Sequence, residues 1–325
     1  MDTELAKMKK IQTILGPVPP EKLGVTDIHE HIIVDGGLEA LMIDWDFNLP
    51  SVEKAIEEVT YFHKAGGNSI VDYGMLGAGR RITKLLKVAE KVPVNIIATS
   101  GFFFSGIYRP GCHWVNVYSK DEIADLLVKE ITEGMDANDY LGPIVKRLDA
   151  KAGQFKAASQ YNFISKGDEK VFRSVAMAHL ETGAPIATHT EKGTMALEQI
   201  EILKSEGVDP SRVTLAHLDR NPDFGYHKEI AETGAYLQYN GPSRIKYYPD
   251  SVYVDLIIKM VDAGFGKQIL VGGDNGRATM WKSISRAPGF SYILEKFVPR
   301  LREEGLKESA IQDILVNNPA KFLAF

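Results

Sequence analysis

The segment Gly24-Val25-Thr26-Asp27-Ile28-His29-Glu30-His31 begins with apolar and β-branched residues and ends in two histidines that lie two positions apart. A short run of this composition is typical of a buried parallel strand. A buried strand has no structural need for an ionisable residue near its carboxyl end. The segment therefore predicts a strand over Gly24–His29 whose end carries chemically active side chains.

Seven further runs of this kind follow along the chain and predict further strands. They lie near Ser69–Tyr73, Val94–Thr99, Gln154–Ala157, Pro185–His189, Val213–His217, Ala235–Tyr239 and Gln268–Gly272. Amphipathic stretches separate the runs, and most of them stop at a glycine, as helices commonly do. The predicted helices are Val52–Ala65, Lys120–Gly134, Glu169–Thr182, Met195–Glu206, Ser251–Ala263 and a closing helix over Glu308–Leu323.

Eight strand–helix units in 325 residues predict an α/β fold, namely a single (β/α)₈ TIM barrel formed by residues 1–325. A doubly wound sheet with a second domain is the alternative. The sequence contains no Pro-, Ser- or Gly-rich tract that would mark a linker between two domains. One barrel domain is therefore the favoured architecture.

Four other predicted strands also carry an ionisable residue at or just after the carboxyl end. These residues are Lys156, His189, His217 and Asp274. All strands of a parallel barrel end on one face, which is the catalytic face, and alternate residues such as His29 and His31 point the same way. Imidazole and carboxylate groups bind zinc and similar divalent metals. The pattern predicts a binuclear metal centre at the C-terminal face of the strands.

Each part of this pattern also has a structural interpretation. A histidine at a strand end is usually a hydrogen-bonded core residue, and a lysine within an apolar run can extend its ammonium group to solvent. The equivalent position of all these residues at strand ends favours the metal centre. If Lys156 reacted with carbon dioxide, the resulting carbamate would be an anion whose two oxygens could bridge two metals.

Overall charge and composition exclude several classes of protein. The formal net charge is −5, which argues against a nucleic-acid-binding protein and against attachment to an anionic membrane. The sequence has no long apolar run that would span a membrane and no signal-peptide core near its start. Cys112, which is the single cysteine, fits a reducing compartment. We therefore expect a cytoplasmic protein.

Local charge differs from this overall balance in two predicted loops. Residues 241–249 and 275–286 carry five basic and no acidic residues, whereas the rest of the chain carries 33 basic and 43 acidic residues. The loops after strands seven and eight of such barrels often bind phosphate. We predict that Arg244, Lys246 and Arg277 hold a substrate phosphate. The alternative is that they are solvated surface charges.

Several motifs resemble one family over nearly the whole chain. They are Gly16-Pro17-Val18-Pro19-Pro20-Glu21-Lys22-Leu23-Gly24, His29-Glu30-His31, Val71-Asp72 with Gly77-Ala78-Gly79-Arg80, Glu206-Gly207-Val208-Asp209-Pro210-Ser211-Arg212-Val213, and Asn318-Pro319-Ala320-Lys321-Phe322-Leu323. In these motifs the chain resembles the phosphotriesterase family of the amidohydrolase superfamily, including its lactonase branch. The basic loops resemble those of phosphorylated sugar lactone hydrolases within that family.

The resemblance implies a complete ligand set for two divalent metal ions. His29, His31 and Asp274 would bind one metal, His189 and His217 would bind the other, and carboxylated Lys156 would bridge them together with a hydroxide. Asp274 would also be the catalytic proton shuttle. Zinc is the first candidate for the metal, with manganese, cobalt and iron as alternatives. A homodimer is also implied.

The implied activity is attack of the bridging hydroxide on a small anionic lactone, with a phosphorylated aldono-1,4-lactone as the favoured substrate. A neutral or acyl-homoserine lactonase with promiscuous triesterase activity is the second interpretation, and a non-catalytic ligand-binding barrel is the third. The third loop departs from acyl-homoserine lactonases, since Gly101-Phe102-Phe103 stands where they have Gly-x-Tyr. Tyr108 is a candidate to supply the missing hydroxyl.

Overall fold

The computed structural model describes residues 9–109, 111 and 113–325, without the side chain of Glu39. Cys112 and the prediction attached to it lie outside the described residues. The described chain begins with an antiparallel hairpin of two short strands, β1 (Ile11–Thr13) and β2 (Gly16–Val18), which the sequence did not predict. Every helix of the described part is too short or too polar to cross a membrane.

Eight parallel strands form a sheet in which each strand pairs with the next one along the chain. These strands are β3 (Thr26–Glu30), β4 (Ser69–Asp72), β5 (Asn95–Gly101), β6 (Gln154–Ser159), β7 (Ile186–Thr190), β8 (Val213–Ala216), β9 (Tyr236–Tyr239) and β10 (Ile269–Val271). Each begins within two residues of its predicted start. The prediction of a (β/α)₈ barrel is confirmed.

The first and last strands of this sheet lie side by side and close the barrel. The backbone N–H of Asp274 donates to the carbonyl oxygen of His29 at 2.7 Å, just beyond the end of β10. Gly272 makes this approach sterically possible, because a Cβ atom there would lie 2.6 Å from the backbone nitrogen of His29. Closure thus brings Asp274 beside the histidines at the end of β3.

Twelve α-helical segments of the described chain connect and cover the strands. They are α1 (Leu38–Met42), α2 (Val52–Lys64), α3 (Ile82–Ala89), α4 (Lys120–Thr132), α5 (Lys166–Thr182), α6 (Ala196–Ser205), α7 (Phe224–Glu232), α8 (Asp250–Asp262), α9 (Lys282–Ser285), α10 (Val298–Glu303), α11 (Glu308–Gln312) and α12 (Asn318–Leu323). The first five predicted helices correspond to α2, α4, α5, α6 and α8.

The predicted closing helix over residues 308–323 is confirmed, and one of its turns is π-helical. A π-helical turn at Asp313–Asn317 separates α11 from α12. The turn is explained by Pro319, which lacks a backbone N–H and whose ring would clash with the carbonyl group four residues earlier. A second π turn at Ile293–Phe297 precedes Pro299 and α10 for the same reason.

Apolar side chains fill two regions of the barrel and leave its upper end polar. Residues such as Ile28, Val71 and Leu270 pack inside the barrel. A larger cluster packs between the sheet and the surrounding helices. Buried polar side chains, by contrast, gather at the carboxyl ends of the strands, where His29 and Lys156 are each 1% exposed. The fold thus brings these ionisable groups together at one end of the barrel.

Candidate active site

A cleft of about 300 Å³ opens at the carboxyl ends of the barrel strands. All nine residues predicted from the sequence to bind metal or substrate line this cleft. They are His29, His31, Lys156, His189, His217, Arg244, Lys246, Asp274 and Arg277. The residues come from six different strands or the loops that follow them, and the barrel topology brings them together.

Asp274 lies at the centre of the histidine cluster. Its Oδ1 atom is 3.5 Å from His29 Nε2 and 3.4 Å from His31 Nε2, and its Oδ2 atom is 3.8 Å from His217 Nδ1. One ligand atom each from His29, His217 and Asp274 lie within 4.8 Å of one another. A single cation could therefore contact all three residues.

His189 and Lys156 complete the cluster on its other side. The His189 ring lies 4.6 Å from the His217 ring, measured between centroids, and its Nε2 atom is 2.9 Å from Glu191 Oε2. The ammonium group of Lys156 lies 4.1 Å from the centre of the Tyr73 ring, which stacks on His29 at 3.5 Å. The six predicted metal ligands are thus neighbours.

A chain of hydrogen bonds fixes the ring of His29. The Gln238 amide bonds to His29 Nδ1 at 2.8 Å, and the Tyr73 hydroxyl donates to Gln238 Oε1 at 2.9 Å. These contacts leave Nε2 facing Asp274. A partner on the far nitrogen is the usual way in which a protein orients a metal-binding histidine.

The electrostatics of the cluster suit a bound cation. Burial lowers the pKa of His29 and of His217 well below the usual value, and it lowers the pKa of His189 to about 4. The rings are therefore neutral at pH 7, which is the form that binds metals. His217 Nδ1 is buried and has no hydrogen-bond partner among the described residues. Such an orphaned nitrogen beside a carboxylate fits a metal ligand.

Asp274 is a carboxylate in a strongly cationic environment. Burial by itself would raise the pKa of Asp274, but the guanidinium of Arg244 and the rings of His217 and His29 outweigh it. They hold the pKa of Asp274 well below its usual range. Asp274 is therefore ionised at neutral pH and can act as a ligand or accept a proton.

Two buried carboxyl groups support the cluster from behind. Asp27 accepts hydrogen bonds from the backbone N–H groups of His29 and Gly273, and Glu30 accepts two from Asn275. Burial raises the pKa of Asp27 to about 7 and raises that of Glu30 well above its usual value. The pair ties the end of β3 to the loop that carries Asp274.

The three predicted phosphate ligands lie at different depths in the cleft. Arg244 is buried, and its Nη2 atom is 2.9 Å from Asp274 Oδ2. Lys246 is exposed, and its ammonium group lies 4.8 Å from the centre of the Tyr247 ring. The guanidinium of Arg277 lies 4.1 Å from the centre of the Phe47 ring. The structure therefore separates an inner arginine from two outer cations.

Acidic residues of the segment between β3 and α2, which is the first loop of the barrel, modify the expected basic patch. Arg277 donates a hydrogen bond to Asp44, and its Nη1 atom lies 3.8 Å from Asp46. The basic loops over residues 241–249 and 275–286 contain no acidic residue themselves. The acidic partner Asp44 lies 233 positions before Arg277 in the chain and meets it only in the folded protein. Sequence reasoning missed this partial neutralisation because the barrel closure that creates it is a tertiary feature.

Two charged residues of the cleft were missed in the sequence. Arg220 donates from Nη2 to Asp274 Oδ2 at 2.8 Å, and Glu191 pairs with His189. Glu191 follows His189 by two positions and Arg220 follows His217 by three, so their closeness to a strand-end histidine could have indicated that they line the cleft. Tyr108, by contrast, donates its hydroxyl to the carbonyl of Leu76 and accepts the N–H of Phe103, and so it supplies no hydroxyl to the cleft.

Comparisons with known proteins agree with this geometry. The model of the phosphotriesterase family matches residues 9–323. A phospho-furanose lactonase of Mycoplasmopsis synoviae is 39% identical over 326 residues, which cover 98% of this chain and 92% of that protein.

Two solved structures are similar along nearly their whole length. A lactonase from Listeria monocytogenes superposes with a TM-score of 0.90 at 36% identity, covering 97% of this chain and 98% of that one. The phosphotriesterase homology protein of Escherichia coli, solved with phosphate in its active site, gives a TM-score of 0.85 at 28% identity over 93% of this chain and 99% of that one. The chain belongs to the phosphotriesterase family.

Proposed function

We propose that this chain is a metal-dependent hydrolase that opens the ring of a phosphorylated aldono-1,4-lactone, with residues 1–325 acting as one barrel domain. The observation that carries the proposal is the set of four histidines, Lys156 and Asp274 at the floor of a cleft that also holds three arginines; all six except the half-buried His31 are buried. The similarity to a phospho-furanose lactonase supports the choice of substrate class.

The proposed cofactor is a pair of divalent metal ions, with zinc as the first candidate. His29, His31 and Asp274 would hold one ion, His189 and His217 would hold the other, and carboxylated Lys156 would bridge them. Bound metals would lower the pKa of a water molecule and polarise the carbonyl group of the substrate. The neutral rings and the orphaned His217 Nδ1 support this assignment.

The side chains of the chain would manage the proton and the position of the lactone. Water oxygen adds to the carbonyl carbon, the bond from that carbon to the ring oxygen breaks, and the ring oxygen leaves as a hydroxyl. Asp274 would accept the proton of the attacking oxygen and return it to the ring oxygen. Phe103, whose ring lies 4.7 Å from His189, forms an apolar wall that limits water beside the reacting bond.

A phosphate on the substrate would be held by the cations of loops seven and eight. Arginine can bind phosphate with two parallel hydrogen bonds. Arg277 and Lys246 line the outer part of the cleft, and Arg244 lines its floor. An anionic substrate would displace part of the pairing between Arg277 and the carboxylates of the first loop.

A comparison of two lactones tests the phosphate assignment. We expect a 5-phosphorylated aldono-1,4-lactone to be hydrolysed with a kcat/KM at least about 100-fold above that of the same lactone without phosphate. Binding of the phosphate, which is distant from the reacting ester bond, would supply energy that lowers the activation barrier of ring opening. Arg277→Ala should remove about 10- to 100-fold of this preference, as loss of a charged hydrogen bond does. Arg302→Ala is the matched control, since Arg302 is an exposed arginine paired with Glu308. Equal efficiencies that Arg277→Ala leaves unchanged would refute the phosphate assignment.

Metal analysis tests the cofactor and the non-catalytic alternative. We expect about two equivalents of divalent metal per chain in the protein as isolated, because two-metal hydrolases bind a pair of ions. His217→Asn should lower the metal content, measured by elemental analysis. Replacement of the half-buried His63, which lies in the last turn of α2 and is not among the residues that line the cleft, by Asn should not. Chelation that left lactone hydrolysis intact would contradict every metal-dependent mechanism.

A neutral lactone or an organophosphate triester is the second candidate class of substrate. The apolar rings of Phe103 and Phe104 beside His189 favour it. The Tyr108 hydroxyl donates to the carbonyl oxygen of Leu76 and so does not replace the tyrosine that acyl-homoserine lactonases have in this loop, which argues against acyl-homoserine lactones. The cytoplasmic location and the homodimer remain predictions from the sequence.

A further inference from the structure

Arg220 and Arg244 form a pair of buried arginines that share one carboxylate oxygen. Their Nη2 atoms lie 2.8 and 2.9 Å from Asp274 Oδ2, and each side chain is 7% exposed. One carboxylate cannot satisfy two guanidinium groups, since each carries five N–H donors. Arg220 Nε is buried and has no hydrogen-bond partner among the described residues. The floor of the cleft therefore offers excess hydrogen-bond donors and positive charge.

The two arginines are held on a common support. Asp219, which precedes Arg220, accepts the backbone N–H groups of Asn240 and Gly241 at 2.9 and 2.5 Å. Gly241 in turn accepts the backbone N–H of Arg244. The ring of Tyr247 lies 4.8 Å from the Arg220 guanidinium carbon and limits its movement. This packing fixes the pair relative to Asp274.

The position of the pair identifies the part of the substrate that it would meet. If Asp274 handles the proton of the reaction, as proposed above, the ester bond must lie within reach of Asp274. The arginine pair touches Asp274 directly, whereas Lys246 is exposed and Arg277 is anchored to Asp44 in the first loop. The pair is therefore close to the acyl end, which assigns Arg244 to that end instead of to the phosphate and leaves the outer cations, Lys246 and Arg277, as the candidates for the phosphate.

We infer that Arg220, together with Arg244, binds the acyl end of the lactone and the carboxylate that ring opening produces, and that Arg220 determines specificity for hydroxy-acid products. This inference rests on the proposed function. Ring opening turns a neutral ester into a carboxylate, and a guanidinium can bind a carboxylate with two parallel hydrogen bonds. Arg220 and Arg244 would thus recognise the carboxylate, whose charge forms during the reaction. Lys246 and Arg277 would recognise the phosphate, whose charge is present throughout.

Binding of three stable ligands to the metal-loaded protein tests the inference without measuring turnover. A pentonate 5-phosphate carries both charges, a pentitol 5-phosphate lacks the carboxylate, and a pentonate lacks the phosphate. With Arg220→Met we expect the Kd of both pentonates, measured by calorimetry, to rise about 10- to 100-fold. The Kd of the pentitol 5-phosphate should stay unchanged. Arg277→Met should instead raise the Kd of the two phosphorylated ligands and leave that of the unphosphorylated pentonate unchanged. Arg302→Met should change none of the three Kd values.

Two further measurements separate a binding role from a structural one. The melting temperature and metal content of Arg220→Met should match those of the unmodified protein. Arg220→Lys, which keeps the charge but not the fork of donors, should weaken pentonate binding less than Arg220→Met does. A loss of structure in Arg220→Met with unchanged pentonate binding in Arg220→Lys would overturn the inference.

The remaining outcomes distinguish the inference from the function on which it rests. If the protein hydrolyses phosphorylated lactones but Arg220→Met weakens the pentitol 5-phosphate as much as the pentonates, Arg220 belongs to the phosphate site and only the inference fails. Unchanged binding of all three ligands would also overturn it. If the unmodified protein binds none of them and hydrolyses no lactone, the proposed function fails together with the inference.

Discussion

Replacement of Asp274 by asparagine is expected to lower kcat for lactone opening by about 10²- to 10⁴-fold, the usual contribution of a general base. Asparagine keeps the size of the side chain but cannot accept a proton. Asp274 is also the residue that the histidines and both inner arginines share, with contacts of 2.8 to 3.8 Å. No neighbouring carboxylate of the described cleft can replace it, because Glu191 pairs with His189 instead.

The measurement must separate lost proton transfer from lost structure. Metal content and pentonate 5-phosphate binding of Asp274→Asn, determined beside kcat, show whether the site remains assembled. Asp262→Asn is the matched control, since Asp262 is an exposed aspartate at the end of α8. A kcat close to that of the unmodified protein would refute the assignment of Asp274 as the proton shuttle.

The positions of the barrel strands could be predicted because each strand is a short local run bounded by polar residues. The location of Asp274, Lys156 and the four histidines on one face followed from topology, since all parallel strands of a barrel end on the same side. These inferences need only the order of the elements along the chain. Short strands β1 and β2, of three residues each, gave too little periodicity to be recognised.

The parts of the site that escaped prediction depend on contacts between distant loops. The pairing of Arg277 with Asp44 and the sharing of Asp274 by Arg220 and Arg244 arise only when the barrel closes. Similarly, the hydroxyl of Tyr108 could be assigned to the backbone of Leu76 only from the fold. Side-chain direction in loops is set by tertiary packing, which leaves no periodic signal in the sequence.

A buried ion network beneath the loop after β4 also depends on tertiary structure. Arg80 is 2% exposed and binds Glu130 through both Nη atoms, at 2.7 and 2.8 Å. Its Nε atom donates to Asp139 at 3.0 Å, and Asp139 also accepts the backbone N–H of Gly77. The network thereby joins α4, the segment before β6 and the loop after β4, whose Met75 and Ala78 line the cleft.

Arg80→Met is expected to lower the free energy of unfolding by about 3–5 kcal/mol, because it leaves the buried carboxylates of Glu130 and Asp139 without their counter-charge. The opposing control is Lys259→Met, which breaks an exposed pair with Asp255 one helical turn away and should cost less than about 1 kcal/mol. Denaturant midpoints of the two variants give the comparison. Since the loop after β4 forms one wall of the cleft, Arg80→Met should also raise the KM for the lactone under conditions where it remains folded. Midpoints that shift equally in the two variants would show that the network adds no more stability than an exposed ion pair, and an unchanged KM would show that it does not hold this wall in place.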